Sequence, residues 1–134
     1  MQNPALLKYQ QTSIQTATPA QLLIMLYDGA IRFINQGIEG IENKRYDQAN
    51  LFLCKAQAVI HELTASLDFK YPLANSLSQI YEYMIYKLMQ GNIKKEVPFC
   101  REVVEHLKEL REAWKEAIKL ADSSSTAKEI NQHA

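Results

Sequence analysis

Apolar side chains return every three or four positions along most of this chain, and that period dictates helices. From Leu22 the series runs through Leu26, Ala30, Phe33, Ile34, Ile38 and Ile41, widened by Leu23, Tyr27 and Ile31. A strand needs a period of two, and no segment alternates in that way. Only four prolines and four glycines interrupt the 134 residues. Their positions cut the pattern into four helices. Thr18-Pro19-Ala20-Gln21 predicts the first start: Thr18 caps, Pro19 suits the first helical position, and Gln21 reaches back to the Thr18 amide. This helix should fade near Asn43, with Gly37 and Gly40 weakening its end. Asp47 is the candidate cap of a second helix, which carries Ala49, Phe52, Ala56, Val59, Ile60, Leu63 and Leu67 and ends near Asp68. Pro72 marks a third start, and Gly91 is its expected stop. Pro98 is tolerated only in a first turn, so a fourth helix begins around Glu96–Pro98. Its seam is Cys100, Val103, Leu107, Leu110, Trp114, Ala117 and Ala121, and Asp122-Ser123-Ser124-Ser125-Thr126 is expected to end it.

Four helices of this length with short connections predict an all-α fold, an antiparallel up-down four-helix bundle. The expected organisation is an N-terminal capping segment over 1–17, the bundle domain over 18–121, and a polar, disordered tail over 122–134. The leading segment has sparse apolar points at Leu6, Leu7, Tyr9 and Ile14. It cannot fold alone, but it can lie against the bundle.

Composition removes several function classes. Fifteen basic residues balance fifteen acidic ones, which argues against nucleic-acid binding. The longest apolar run, Leu22–Tyr27, falls far short of the roughly 20 residues that span a bilayer, so no membrane insertion is expected. Met1-Gln2-Asn3-Pro4 opens no signal peptide, and two distant cysteines suit a reducing, cytoplasmic setting. A di-metal carboxylate bundle needs Glu-x-x-His motifs, but Ala58 and Val103 stand three positions before His61 and His106. His61-Glu62 opens like H-E-x-x-H, yet Ala65 occupies the second histidine position. No phosphate loop, dinucleotide fingerprint or nucleophile elbow is present. Cys54 and Cys100 fall on apolar seams, where a thiol is an inert hydrophobe. No enzyme activity, cofactor or metal is expected.

The third helix carries more apolar surface than a bundle helix needs. From Ile80 to Met89 only Glu82 and Lys87 are polar. A helix that is apolar nearly all round must be covered on more than one side. The cover is the N-terminal segment, a second copy of the chain, or a partner protein. Met25, Met84 and Met89 can repack around different ligands. Tyrosines add large area with a polar tip.

Several strings point further. Leu6-x-x-Tyr9, Thr18-Pro19-x-Gln21-Leu22-Leu23, Leu26-Tyr27-Asp28-Gly29-Ala30, Leu67-Asp68, Ile80-Tyr81-x-Tyr83-Met84 and Ala113-Trp114 occur in this order. Together, from about Leu6 to about Ile118, they resemble the flagellin-specific export chaperones, the FliS family. One departure is that Asp68-Phe69-Lys70-Tyr71-Pro72 stands where members often carry a Gly-Gly pair. The resemblance implies a cytoplasmic bundle that binds the C-terminal region of flagellin, keeps it unpolymerised, and delivers it to the flagellar type III export apparatus. Its implied partners are therefore flagellin and a membrane export-gate component. By matching position, Leu6 and Tyr9, with Ile14 nearby, form a latch on the hydrophobic surface that shifts when flagellin binds. The residues expected to contact flagellin are Leu22, Leu23, Leu26 and Tyr27, divided between core and groove, and Tyr81, Met84, Ile85 and Leu88 as groove floor. Asp28 is expected to bond a tyrosine or a backbone amide, and Gly29 to admit a neighbouring helix. The competing expectation is a self-associating helical adaptor, a homodimer without an export role.

Overall fold

The structure, a computed structural model, describes residues 16–133, with side chains as far as residue 123. Four helices follow one another: α1 (Pro19–Glu42), α2 (Tyr46–Ala65), α3 (Pro72–Lys94) and α4 (Val97–His133). Helix α1 packs beside α2 and α4, and α3 packs beside the same two helices. Short connections make each neighbour antiparallel, so the expected up-down bundle is the observed fold. No strand occurs among the described residues. The latch residues Leu6, Tyr9 and Ile14 lie outside the described residues.

Helix α1 starts where the sequence places it. The Thr18 hydroxyl accepts from the Gln21 amide at 3.1 Å, and the Thr18 amide donates to Gln21 Oε1 at 2.9 Å. Pro19 fills the first helical position. The capping box satisfies two amides that a helix start otherwise leaves without partners. The helix closes on Asn43, and Lys44 turns the chain with a φ of 56°.

Gly37 and Gly40 do more than weaken a helix end. A Cβ on Gly40 would stand 2.9 Å from the Ala49 nitrogen, and one on Gly37 would stand 2.6 Å from Leu53 Cδ2. Glycine at both positions lets α2 approach the α1 backbone. Gly29, which was expected to play that part, has nothing within 4 Å of its would-be Cβ.

The second helix lacks a side-chain cap. Its first flanking residue is Arg45, and Asp47 sits inside the first turn instead, where its charge complements the helix dipole. The helix stops at Ala65, before the expected Asp68. The following connection needs no glycine. Asp68 Oδ1 accepts from the Lys70 amide at 3.0 Å and the Asp68 carbonyl accepts from the Tyr71 amide at 3.2 Å. An aspartate that bonds the backbone two residues on makes the turn by itself, so the missing Gly-Gly pair costs the hairpin nothing visible.

Pro72 opens α3 as expected. Gly91 does not end it. The helix continues to Lys94, and Lys95 takes the left-handed cap with a φ of 54°. Gly91 instead makes room for Cys100 of α4, whose Sγ would lie 2.7 Å from a Cβ there. Helix α4 runs to His133, past the expected stop at Asp122–Thr126. No proline or glycine follows Pro98, and serine only weakens a helix without breaking it. The seam of α4 is buried through Cys100, Val103 and Leu107, half-buried at Leu110 and Trp114, and exposed at Ala117 and Ala121. The last part of the helix has therefore left the core.

Candidate functional site: an apolar groove at the open end of the bundle

The third helix does carry surplus apolar surface, on a face other than the one expected to form the groove floor. Met84 and Leu88 are fully buried and Tyr81 is 1% exposed. These residues share the face that α3 turns into the core, and the helical period that joins them also removes them from solvent. Ile85 is half-buried against the same core. The uncovered residues are Leu73 in the first turn and, further along, Ile80, Tyr83, Tyr86, Met89 and Ile93. On α1, Tyr27 is core as well, Leu23 and Leu26 are half-buried, and Leu22 is exposed.

The α1 leucines border a cavity of about 570 Å³. It opens where α1 and α3 begin and α2 has already ended. Pro19, Leu22, Leu23 and Leu26 form one wall. Leu73, Ala74, Leu77 and Tyr81 of α3 form another, Leu67 and Tyr71 come from the connection before it, and Trp114 of α4 completes the lining. Ser66 and Asp68 are the polar members. A volume in the hundreds of Å³ with mainly apolar walls suits a ligand or a row of side chains. Leu67, Tyr71, Leu73, Leu77 and Trp114 were not among the expected contact residues. Leu73 and Leu77 read as ordinary seam positions, and only the structure, in which Leu73 is exposed and both residues line the cavity, shows that the seam is unfinished there.

A short polar chain runs beneath this groove. Trp114 Nε1 donates to the Tyr27 hydroxyl at 3.0 Å. Tyr27 and Tyr81 share a hydrogen bond between their hydroxyls. Burial, above all, pushes both tyrosines above the ordinary phenol range, so both remain neutral. Beside them Arg111 Nη1 donates to Asp28 Oδ1 at 2.8 Å, and that bond is the main reason the guanidinium holds its proton more firmly. Asp28 thus pairs with an arginine and not with the tyrosine or amide expected. The Leu26–Ala30 string and the segment ending at Trp114 are therefore two halves of one contact between α1 and α4.

A second cleft of about 580 Å³ lies between α3 and α4 on the outer side. Ile80 and Leu110 line it, with Tyr83 and His106 packed edge to face at 6.2 Å between ring centroids. The Tyr83 hydroxyl donates to Glu102 Oε2 at 2.6 Å.

Among the described residues, no group of three or more His, Cys, Asp or Glu could hold a metal ion. Cys100 is buried, which pushes its thiol up to about 11, well away from a reactive thiolate. Cys54 is exposed and not buried on a seam as expected; it faces outward beside Asn50. His61 is exposed and His106 half-buried. Among the described residues, no helix is long and apolar enough to cross a membrane.

The sequence over residues 1–121 matches the family described as flagellar protein FliS. The chain belongs to the FliS family. The match ends where the polar 122–134 stretch begins. The flagellar secretion chaperone FliS of Bacillus subtilis is 41% identical over 118 residues, covering 88% of each chain. The flagellar secretion chaperone FliS of Campylobacter jejuni is 31% identical over 110 residues, covering 81% of this chain and 86% of that one. A solved structure described as a flagellar chaperone from bacteria superposes with a TM-score of 0.71 at 20% identity, covering 87% of this chain and 98% of the other, and so shares its fold. FliS membership assigns a secretion-chaperone role, which is a non-enzymatic one.

Proposed function

We propose that this FliS-family protein works in the cytoplasm as the export chaperone for flagellin. It binds the C-terminal region of flagellin, prevents premature polymerisation, and delivers the subunit to a membrane export-gate component of the flagellar type III apparatus. The observation that carries the reading is the apolar groove at the open end of the bundle. An unassembled filament subunit exposes an apolar, helix-forming segment, and a groove of this kind covers such a segment by helix-in-groove packing. Ordering that segment costs several kcal/mol, about 2–5, and so requires a broad contact. Leu22, Leu23 and Leu26 are the contact residues retained from the sequence, with Leu73, Leu77 and Trp114 added opposite them. Tyr81 contributes from the floor, while Met84 and Leu88 act from behind as packing. The latch reading fits the same place, because Pro19, where the leading segment joins α1, borders the groove. Leu6, Tyr9 and Ile14 would then occupy the groove until flagellin displaces them.

The test is hydrogen–deuterium exchange of the full chain with and without a flagellin C-terminal peptide. Binding at the groove slows exchange in the first turns of α1 and α3. Protection confined to the C-terminal half of α3 would move the site to its outer face.

The outer face of α3 supports a second reading, self-association. Tyr86, Met89 and Ile93 stand between 46% and 73% exposed on that face. A homodimer would cover them, and light scattering across a dilution series distinguishes a dimer from a monomer that waits for flagellin.

A further inference from the structure

Helix α4 carries two seams, and the bundle uses one of them. The first, through Cys100, Val103 and Leu107, is buried. The second runs beside it through His106, Leu110, Ala113, Ala117 and Leu120, at steps of four, three, four and three. That spacing holds side chains on one face of a helix and is the spacing of a coiled-coil contact line. The bundle covers this line only in part. His106 and Leu110 are half-buried at the cleft of about 580 Å³ that α4 shares with Ile80 and Tyr83 of α3. Ala113 and Ala117 are exposed, and Leu120 is 63% exposed. The two alanines leave a neighbouring helix room to come close, since side-chain size sets the distance between helix axes.

Charge decides what kind of helix fits. Glu102, Glu109 and Glu116 recur at every seventh position along one edge of the line. Glu102 is engaged by the Tyr83 hydroxyl at 2.6 Å and by Lys87 at 3.9 Å. Lys108 pairs with Glu105 and Lys115 with Glu112, and no lysine or arginine lines the cleft. Glu109 and Glu116 therefore have no ion pair among the described residues. Charges that flank a coiled-coil contact line choose its partner by opposite sign. A second copy of α4 packed antiparallel would set glutamate against glutamate, which is unfavourable. We propose that the line and the cleft beside it dock one helix of a partner protein. That helix is apolar along its seam and carries lysine or arginine at every seventh position, opposite the glutamates. The groove's α4 residue, Trp114, stands about 100° round the helix axis from Ala113, so this site does not depend on the flagellin reading of the groove.

The experiment uses the full chain and a synthetic helical peptide of about three heptads, with leucine on its seam and lysine at every seventh flanking position. A second peptide has glutamate in place of each lysine. Calorimetry should give one lysine peptide per chain and an affinity about tenfold weaker for the glutamate peptide, as expected when like charges meet across an interface. In the double variant Glu109→Lys, Glu116→Lys the order of the two peptides should reverse. Both positions are exposed, so the fold should be kept. NMR of the native complex should show shifts at His106, Ala113 and Ala117. Failure of the lysine peptide to bind, equal affinities for the two peptides, or an unchanged order in the variant overturns the proposal. Shifts confined to the first turns of α1 and α3 overturn it too, because they place the peptide in the groove. A native dimer that Leu120→Asp disperses in light scattering gives the line to a second copy. Displacement of the lysine peptide by a flagellin C-terminal peptide gives it to flagellin, and either result overturns the proposal.

Discussion

The two ends of the α1–α2 pair are built on opposite plans. At the end near Asn43, Gly40 and Ala49 bring two backbones so close that a single Cβ would collide. Ile38, Ile41 and Ala49 are buried there, and the turn is closed by the Arg45 amide donating to the Gly40 carbonyl at 2.7 Å. At the other end α2 stops at Ala65 while α1 begins at Pro19, and the leucines between them face a cavity. One end spends its apolar surface on the fold. The other leaves part of it uncovered, and that part is the proposed seat of flagellin. A groove of this kind arises when one helix of four is shorter at its end, without any special residue.

The contrast is sharpest under substitution. Gly40→Val should cost about 3 kcal/mol, since backbone atoms cannot yield as a flexible side chain can, and urea unfolding of the variant reads it directly. Tyr27→Phe cuts the polar chain at its middle and strands Trp114 Nε1 in a part-buried site. A loss of about 2 kcal/mol is expected, measured in the same way.

The core also imposes a pH dependence. Burial raises the Cys100 thiol to about 11, whereas the unfolded chain holds that thiol near its ordinary value of about 8.5. The thiol's contribution is complete below the unfolded value. Between the two values the unfolded state has released its proton and the folded state has not, so stability falls as pH rises. Tyr27 and Tyr81 shift in the same direction and extend the loss above pH 10. The expected slope is about 1.4 kcal/mol per pH unit for each such group, seen as a falling midpoint in urea titrations from pH 8 to pH 11. The smallest effect belongs to the surface. Arg111→Ala removes a pair whose Asp28 partner is half-exposed, and about 0.5 kcal/mol or less should be lost.

How much of this could be read in the sequence follows from what each signal encodes. The cap at Thr18 and the proline start at Pro72 are local chemistry, and both were legible. Gly91 and the serines after Asp122 are also local signals, but they state a preference, and nothing at either place forbids the helix to continue. Gly37 and Gly40 looked like weak points because their purpose lies in α2, out of reach of a local reading. Met84 and Leu88 were correctly seen as one apolar face. Whether such a face meets core or groove depends on where the opposite helix ends, and α2 ends at Ala65. The strings around Tyr27 and Trp114 meet in one contact between α1 and α4, and neither string shows by itself that a hydrogen bond joins them.

The central claim, that the open end of the bundle is where the partner binds, is tested most directly by calorimetry with Leu22→Asp. Leu22 is exposed on the groove wall, so its replacement should leave the melting temperature within about 2 °C of the native protein, as for an ordinary surface change. The account predicts one flagellin C-terminal peptide per native chain and at least a tenfold weaker affinity for Leu22→Asp. Undiminished affinity in that variant, with affinity lost in Tyr86→Asp on the outer face of α3, would contradict it.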